Sequence, residues 1–167
     1  GVIFTGSTNT ARFINNALCQ RNGPIAVLVA ETGGQNAMVV DSSALPEQVV
    51  KDVIASSFDS AGQRCSALRV LFLQEEVADT IINMLMGAMD ELKIGNPMNI
   101  ETDIGPVIDA KAQENLLKHI DAMRVSAKIL HQVTLNDDTK NGFFVAPTLV
   151  EIPHISTLTQ EVFGPVL

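Results

Sequence analysis

The sequence has no tryptophan and no tyrosine, and it contains only two cysteines among 167 residues. The core must therefore come from aliphatic side chains, methionine and seven phenylalanines. Hydrophobic residues make up 46% and charged residues 18%, which is typical of a globular protein and excludes a disordered or coiled-coil chain. Two cysteines cannot form a disulfide framework, so the composition favours a reducing, cytoplasmic setting over secretion.

Positive charge and long apolar runs are also scarce. Eleven Lys and Arg against 19 Asp and Glu give a net charge of −8. An acidic surface repels phosphate backbones and no basic run is present, so we expect this chain to bind no nucleic acid. No apolar stretch reaches the about 18 residues that a membrane-spanning helix needs. No signal peptide is visible either.

The two ends of the chain are apolar. It begins with Val2 to Phe4, without an initiator methionine, and closes on the apolar segment 162–167. Natural termini are usually polar and frayed. We therefore expect the chain to be a piece of a longer protein.

Apolar periodicity along the chain predicts an α/β fold, because strands and helices alternate. The predicted strands are 1–5, 25–30, 37–40, 69–73, 128–131, 143–152 and 162–167, and the predicted helices are 8–21, 46–60, 75–92 and 110–125. The first strand–helix–strand unit is typical of the tail of a doubly wound cofactor domain. Glu-Thr-Gly-Gly at 31–34 interrupts the pattern, and we predict a domain junction there.

Cys65 is the first candidate for chemistry. It follows a predicted helix end in a loop beside Gly62 and Arg64, and such a loop exposes a thiol while a nearby cation favours the reactive thiolate. The alternative is a buried, inert cysteine, which is the usual state of a free thiol. For Cys19, inside a predicted helix, the buried alternative is the better interpretation.

Glu31 is the second candidate, at the end of an apolar strand and before two glycines. A carboxylate that a buried strand end partly desolvates is suited to the work of a general base. The alternative is an ordinary polar residue where the chain meets water.

Gly6 and Ser7 lie between a predicted strand and a predicted helix. Backbone N–H groups at a helix start attract phosphate, whereas Ser7 could equally be a simple helix cap. The Gly-x-Gly-x-x-Gly fingerprint is absent. The three histidines are scattered and no Cys-x-x-Cys or His-Glu-x-x-His occurs, so we predict no metal site.

Four segments carry a family resemblance. They are Phe-Thr-Gly-Ser at 4–7, Glu-Thr-Gly-Gly at 31–34, Gly-Gln-Arg-Cys at 62–65 and Glu-Val-Phe-Gly-Pro at 161–165. In type and order, over nearly the whole chain, they resemble the aldehyde dehydrogenase superfamily.

Two longer segments narrow this resemblance. Residues 31–38 and 58–69 are similar to the L-glutamate γ-semialdehyde (1-pyrroline-5-carboxylate) dehydrogenase part of the bacterial bifunctional enzymes of proline utilisation. Thr32 and Gln35, where many other members have Leu and Lys, also favour this branch. In these bifunctional enzymes FAD belongs to a separate proline dehydrogenase part.

The resemblance implies a fold and a setting. Residues 32–167 would form a three-layer α/β/α catalytic domain, incomplete at its C-terminal end, preceded over 1–31 by the tail of a Rossmann-like NAD-binding domain. It also implies a small aldehyde substrate, NAD as cofactor, a cytoplasmic location and a homo-oligomeric parent. The segment that discriminates NAD from NADP would lie upstream.

The resemblance further implies catalytic roles. Cys65 would attack the aldehyde carbon, and the oxyanion would be held by the Cys65 backbone N–H and by an Asn upstream of this chain. Hydride would pass to the nicotinamide and leave a thioester, from which water activated by Glu31 would release the acid. Ser66 would contact the substrate carboxylate.

Five residues receive cofactor roles from the same resemblance. Thr5, Gly6 and Ser7 would lie near the nicotinamide and diphosphate. Glu161 would hold the nicotinamide ribose hydroxyls, and Phe163 would pack nearby.

Three other functions stay open at this point. The chain could belong to another aldehyde dehydrogenase of the superfamily, or to a cysteine esterase or acyl transferase that uses no nicotinamide. It could also be a non-catalytic relative, although the presence of both Cys65 and Glu31 argues against that.

Overall fold

A computed structural model describes all 167 residues of the chain. The chain divides into two compact units, Gly1–Gly34 and Gln35–Leu167, and both alternate strands with helices. No helix is both long enough and apolar enough to cross a lipid bilayer. The assignment of 1–31 and 32–167 to two domains of a larger enzyme stays a prediction.

The first unit is a single β-α-β motif. Strand β1 (Val2–Thr5) leads into helix α1 (Thr8–Gln20), and strand β2 (Leu28–Glu31) pairs in parallel with β1. Thr5 lies opposite Glu31 in this register, so the carboxyl ends of the two strands coincide. The predicted strand–helix–strand order is confirmed.

The predicted burial of the second strand is wrong for this chain. The strand begins at Leu28 rather than at 25, and Ile25 and Val27 are 102% and 70% exposed. In α1 only Ala11 is buried. A unit as small as Gly1–Gly34 cannot cover both faces of an apolar strand with its own side chains.

The second unit contains the remaining strands and helices. In chain order they are β3 (Asn36–Val40), α2 (Pro46–Phe58), β4 (Leu68–Leu73), α3 (Glu75–Asp90), α4 (Ala110–Ser126), β5 (Lys128–Gln132) and β6 (Thr148–Glu151). Strands β3 and β4 pair in parallel, whereas β5 and β6 pair antiparallel. Asp109 caps α4 as predicted, because its carboxylate accepts a hydrogen bond from the N–H of Ala112 at 2.7 Å.

Two strand predictions near the end of the chain are too long. Of the predicted strand 143–152 only Thr148–Glu151 is formed, and 162–167 contributes only a parallel bridge from Val166 to Thr148. Pro147 and Pro165 lack the N–H that a longer hydrogen-bonded ladder would need.

The core of the second unit includes the contact between α2 and α3. Five side chains there have no exposed surface at all: Val53, Phe58, Ile81, Leu85 and Met89. The α3 members recur every four residues, which is the helical spacing that predicted this helix from the sequence. This packing anchors the end of α2, from which the Cys65 loop departs.

Candidate active site

The carboxyl ends of β1 and β2 bring together two of the four motifs. Thr5 and Glu31 are register partners, and the N–H of Gly6 donates to the carbonyl of Glu31 at 3.1 Å. Ligand sites in parallel α/β folds lie at such strand ends. The cofactor residues predicted at 5–7 and the predicted base therefore lie at one edge of the first unit.

Ser7 is a helix cap in this structure. Its hydroxyl oxygen accepts from the N–H of Thr10 at 3.2 Å and lies 2.9 Å from the Thr10 hydroxyl. The interpretation of Ser7 as a helix cap is thus confirmed, and a contact of Ser7 with the cofactor diphosphate stays a prediction.

The exposure of two side chains in the first unit corrects the sequence analysis. Glu31 was expected to be partly desolvated, but its side chain is exposed, because β2 has only β1 beside it in this unit. Cys19 was expected to be buried, yet it is a free, exposed thiol on α1. Its helix buries only Ala11.

Cys65 lies in a tight turn of the second unit. The N–H of Ala67 donates to the carbonyl of Arg64 at 3.0 Å, which places Cys65 and Ser66 at the two central turn positions. Cys65 is free and exposed, and Ser66 beside it is exposed as well. The geometry suits an accessible nucleophile.

The Arg64 guanidinium, predicted to favour the Cys65 thiolate, contacts the end of α2. It donates to the carbonyl of Ala55 at 3.0 Å and lies 3.9 Å from the carboxylate of Asp59. Arg64 therefore ties the Cys65 loop back to the end of α2.

The segment between α2 and this turn has an unusual backbone. Ser60, Ala61 and Gly62 all have left-handed conformations, with φ of 57°, 52° and 65°. A Cβ on Gly62 would overlap the carbonyl of Gly164, so the two glycine backbones approach each other closely. The loop that carries Cys65 thus packs against the 161–165 motif.

This contact gives a first prediction, for Gly62→Ala. The left-handed conformation alone costs about 1–2 kcal/mol for a residue with a Cβ, and the overlap with Gly164 adds to it. We expect the free energy of unfolding to fall by more than about 1 kcal/mol, measured by urea denaturation followed by circular dichroism.

Gly87→Ala in α3 is the matched control for this prediction. A Cβ there meets nothing within 4 Å, so the change should stabilise the helix by about 0.5–1 kcal/mol. Equal stability of the two variants would contradict the close packing of Gly62 on Gly164.

A buried arginine joins the Cys65 loop to the 161–165 motif. Arg69 is 5% exposed, and its guanidinium donates to the carbonyls of Gly62 at 2.6 Å, Arg64 at 3.2 Å and Gly164 at 2.9 Å. It also lies 3.7 Å from the Glu161 carboxylate and 5.5 Å from the centre of the Phe163 ring. One side chain thus connects two of the predicted motifs.

Burial lowers the pKa of Arg69 from its ordinary value, and the negative charge of Glu161 opposes that shift. The guanidinium nevertheless keeps its proton at any pH of interest. It therefore provides a fixed positive charge next to the 161–165 motif.

Glu161 has an oxygen that needs a donor. Its Oε1 is buried and accepts no hydrogen bond, since the 3.7 Å to Arg69 allows an ion pair but no hydrogen bond. A buried acceptor without a partner is costly unless a ligand supplies the missing donor. A ribose hydroxyl is such a donor, so the residues fit the predicted nucleotide contact, with Phe163 45% exposed beside it.

The sequence analysis missed Arg69 and Asn36. Asn36, at the start of β3, donates through its side-chain amide to the carbonyls of Cys65 at 2.7 Å and Ala67 at 2.9 Å. A charged residue inside the apolar run 68–73 could have drawn attention to Arg69, because arginine is rarely buried without a partner. Asn36 has no comparable signal in the sequence.

Comparison with known proteins decides the family. The family model described as "Aldehyde dehydrogenase family" matches residues 1–167, the whole chain. The chain belongs to the aldehyde dehydrogenase family. The aldehyde dehydrogenase-like α/β fold that the four motifs predicted is thereby confirmed.

Curated relatives place the chain within this family. It is 55% identical to the "Bifunctional protein PutA" of Klebsiella aerogenes over all of the chain and 13% of that protein. It is 33% identical to the "1-pyrroline-5-carboxylate dehydrogenase" of Anoxybacillus flavithermus, over 99% of the chain and 33% of that protein. The chain therefore spans between about an eighth and a third of the length of these relatives.

Solved structures agree with this placement. The crystal structure of a bifunctional proline utilization A protein matches with a TM-score of 0.95 and 53% identity, covering all of this chain and 17% of that one. A betaine aldehyde dehydrogenase from Staphylococcus aureus, in complex with NAD+, matches with a TM-score of 0.91 and 27% identity, covering 99% and 34%. The fold is thus shared by solved structures of differently named enzymes.

Proposed function

We propose that this chain is the nucleophile-bearing part of a longer enzyme that oxidises L-glutamate γ-semialdehyde to glutamate with NAD in proline catabolism. The similarity to proteins named for proline utilisation and for 1-pyrroline-5-carboxylate dehydrogenation supports the substrate. The observation that carries the chemistry is an exposed, free Cys65 in a turn that Arg69 connects to Glu161, whose buried carboxylate oxygen accepts no hydrogen bond.

Cys65 performs the first covalent step in this proposal. Its thiolate sulfur forms a bond to the aldehyde carbon, and the carbonyl oxygen becomes an alkoxide near the Cys65 N–H. NAD, when bound, would supply the acceptor for the hydride that the carbon loses, which leaves a thioester to Cys65. Glu161 and Phe163 would hold the nicotinamide ribose, and Thr5, Gly6 and Ser7 would lie along the rest of the cofactor.

Glu31 performs the second chemical step. Its carboxylate removes a proton from water, the hydroxide adds to the thioester carbon, and the carbon–sulfur bond breaks. Glutamate leaves and the Cys65 thiolate is restored. Ser66, exposed beside the nucleophile, would contact the substrate carboxylate.

The wider proposal concerns the whole enzyme. A reducing compartment keeps a free thiol nucleophile reduced, which favours the cytoplasm. The family resemblance supports a homo-oligomeric enzyme. In the bifunctional form, FAD would serve a separate proline dehydrogenase part and would have no site on this chain.

Substrate choice tests the proposed function. The full-length enzyme should oxidise glutamate semialdehyde with a kcat/KM at least about 100-fold above that for propanal, which lacks the carboxylate and amine that polar groups recognise. The rate of NADH formation at 340 nm measures both. Equal kcat/KM values would favour another aldehyde dehydrogenase specificity.

The 167-residue chain by itself should be inactive. It covers a third or less of the relatives it matches, and in this proposal most of the nucleotide-binding domain lies outside this chain. We expect no NADH formation above background from the purified chain with semialdehyde and NAD. Steady turnover by this chain would overturn the expectation.

A further inference from the structure

The peptide groups on both sides of Cys65 are held by side chains from elsewhere in the second unit. The carbonyl of Arg64, before Cys65, accepts from the Arg69 guanidinium at 3.2 Å, and the carbonyl of Cys65 accepts from the Asn36 amide at 2.7 Å. We propose that Asn36 and Arg69 are positioning residues that aim the Cys65 N–H at the oxyanion. This inference rests on the proposed function, since it concerns the same reaction.

Peptide planarity carries the first step. The Arg64 carbonyl and the Cys65 N–H belong to one trans peptide group and point in opposite directions within its plane. Two donors hold that carbonyl oxygen, the Arg69 guanidinium and the Ala67 N–H at 3.0 Å. A rotation of the plane would break both bonds, so the direction of the Cys65 N–H is fixed by its neighbours.

The Cys65 N–H itself is free. It donates to no acceptor within the chain, although the carbonyls on both sides of it are hydrogen-bonded. An unpaired, preoriented N–H beside an exposed thiol is the arrangement that stabilises a developing alkoxide. Preorientation matters because the transition state then needs no reorganisation of the loop.

Asn36 fixes the other side of the nucleophile. Its amide nitrogen has two hydrogens, and they reach the carbonyls of Cys65 and of Ala67, at 2.7 Å and 2.9 Å, on either side of Ser66. Asn36 is half-buried and begins β3, which pairs with β4 directly after the loop. The turn is thus fastened to the sheet and not only to itself.

The two residues differ in what else they contact. Arg69 also faces Glu161 and donates to the Gly164 carbonyl, whereas both side-chain hydrogen bonds of Asn36 go to the Cys65 turn. Loss of Asn36 should therefore lower the chemical rate without changing nucleotide binding. Arg69→Lys should lower the rate and raise the KM for NAD together.

The test uses Asn36→Ala in the full-length enzyme. Single-turnover NADH formation should fall about 10- to 100-fold, somewhat less than the loss of a whole oxyanion donor, while the KM for NAD stays within about twofold. The rate at which iodoacetamide alkylates Cys65 in the absence of NAD, measured by peptide mass spectrometry, should stay within about threefold of the wild-type rate. Displacement at a saturated carbon forms no oxyanion, so this reaction does not depend on the N–H.

Asn136→Ala is the matched control. The Asn136 amide also donates to a carbonyl, that of Ile94 at 3.3 Å, but this acceptor lies outside the Cys65 turn. Its single-turnover rate should equal that of the wild type. If the alanine variant folds poorly, Asn36→Asp takes its place, because it keeps the shape of the side chain but has no donor. We expect it to show the same loss of single-turnover rate.

Three results separate the possible failures. A wild-type enzyme that does not oxidise the semialdehyde would refute the proposed function. An active wild type with wild-type single-turnover rates in both Asn36 variants would refute the positioning role alone. Equal losses in alkylation and in NADH formation would also refute it, because the defect would then lie in the thiol and not in the N–H.

Discussion

Replacing Cys65 with alanine in the full-length enzyme should abolish aldehyde oxidation, with a loss of kcat on the order of 10⁴- to 10⁶-fold. The covalent route begins at the sulfur, and no other nucleophile of the turn can form the thioester from which the acid is released. Ser66 adjoins it, but a hydroxyl without an adjacent base is a poor nucleophile. Steady-state NADH formation with semialdehyde measures the loss.

The affinity for NAD shows whether the Cys65→Ala variant has lost only its chemical step or has also lost its fold. In the proposed site, nucleotide contacts come from residues other than Cys65, so the dissociation constant of NAD, measured by calorimetry, should be unchanged. Cys19→Ala, which removes the second exposed thiol, should keep wild-type turnover. Near-normal activity in Cys65→Ala would show that the nucleophile has been assigned to the wrong residue.

The same substitution bears on the cysteine hydrolase alternative. Such an enzyme would lose activity with Cys65 as well, but its wild-type ester cleavage would need no nicotinamide. The buried Glu161 oxygen that accepts no hydrogen bond, and to which a nucleotide hydroxyl could donate, favours the dehydrogenase. The contacts of Arg69 with both the Cys65 turn and the proposed nucleotide-binding Glu161 are therefore more informative than the thiol alone.

Local patterns predicted the helices well. The apolar residues of α3 recur with helical spacing, and the predicted helix 75–92 is observed as Glu75–Asp90. Such a pattern records which face a helix buries, and this depends little on the distant chain. Strand ends were less predictable, since the 143–152 run is cut short where a proline prevents pairing with a neighbour far away in sequence.

The supporting contacts of the site could not be read from the sequence for a different reason. Asn36 reaches carbonyls 29 and 31 positions away, and Arg69 reaches one 95 positions away. A backbone carbonyl is the same for every residue type, so the acceptor leaves no trace in the sequence. Motif resemblance predicted the reacting groups, whereas the groups that we propose orient them emerged only from the fold.

Glu31→Gln should separate the two halves of the reaction. The amide has the shape of the carboxylate but cannot take a proton from water, so thioester hydrolysis should slow by about 10²- to 10⁴-fold. Hydride transfer precedes that step and does not need Glu31 in the proposed mechanism. We therefore expect a rapid burst of one NADH per active site followed by a very slow steady state, recorded by stopped-flow absorbance.

The burst makes this prediction sharper than a loss of turnover alone. If Glu31 instead removed the proton of the Cys65 thiol, the variant would lose the burst together with the steady state, and the assigned role would be wrong. Glu47→Gln, a change of an exposed carboxylate in the first turn of α2, should leave both phases as in the wild type. The burst amplitude thus shows whether the carboxylate at the end of β2 acts on water after hydride transfer or on the thiol before it.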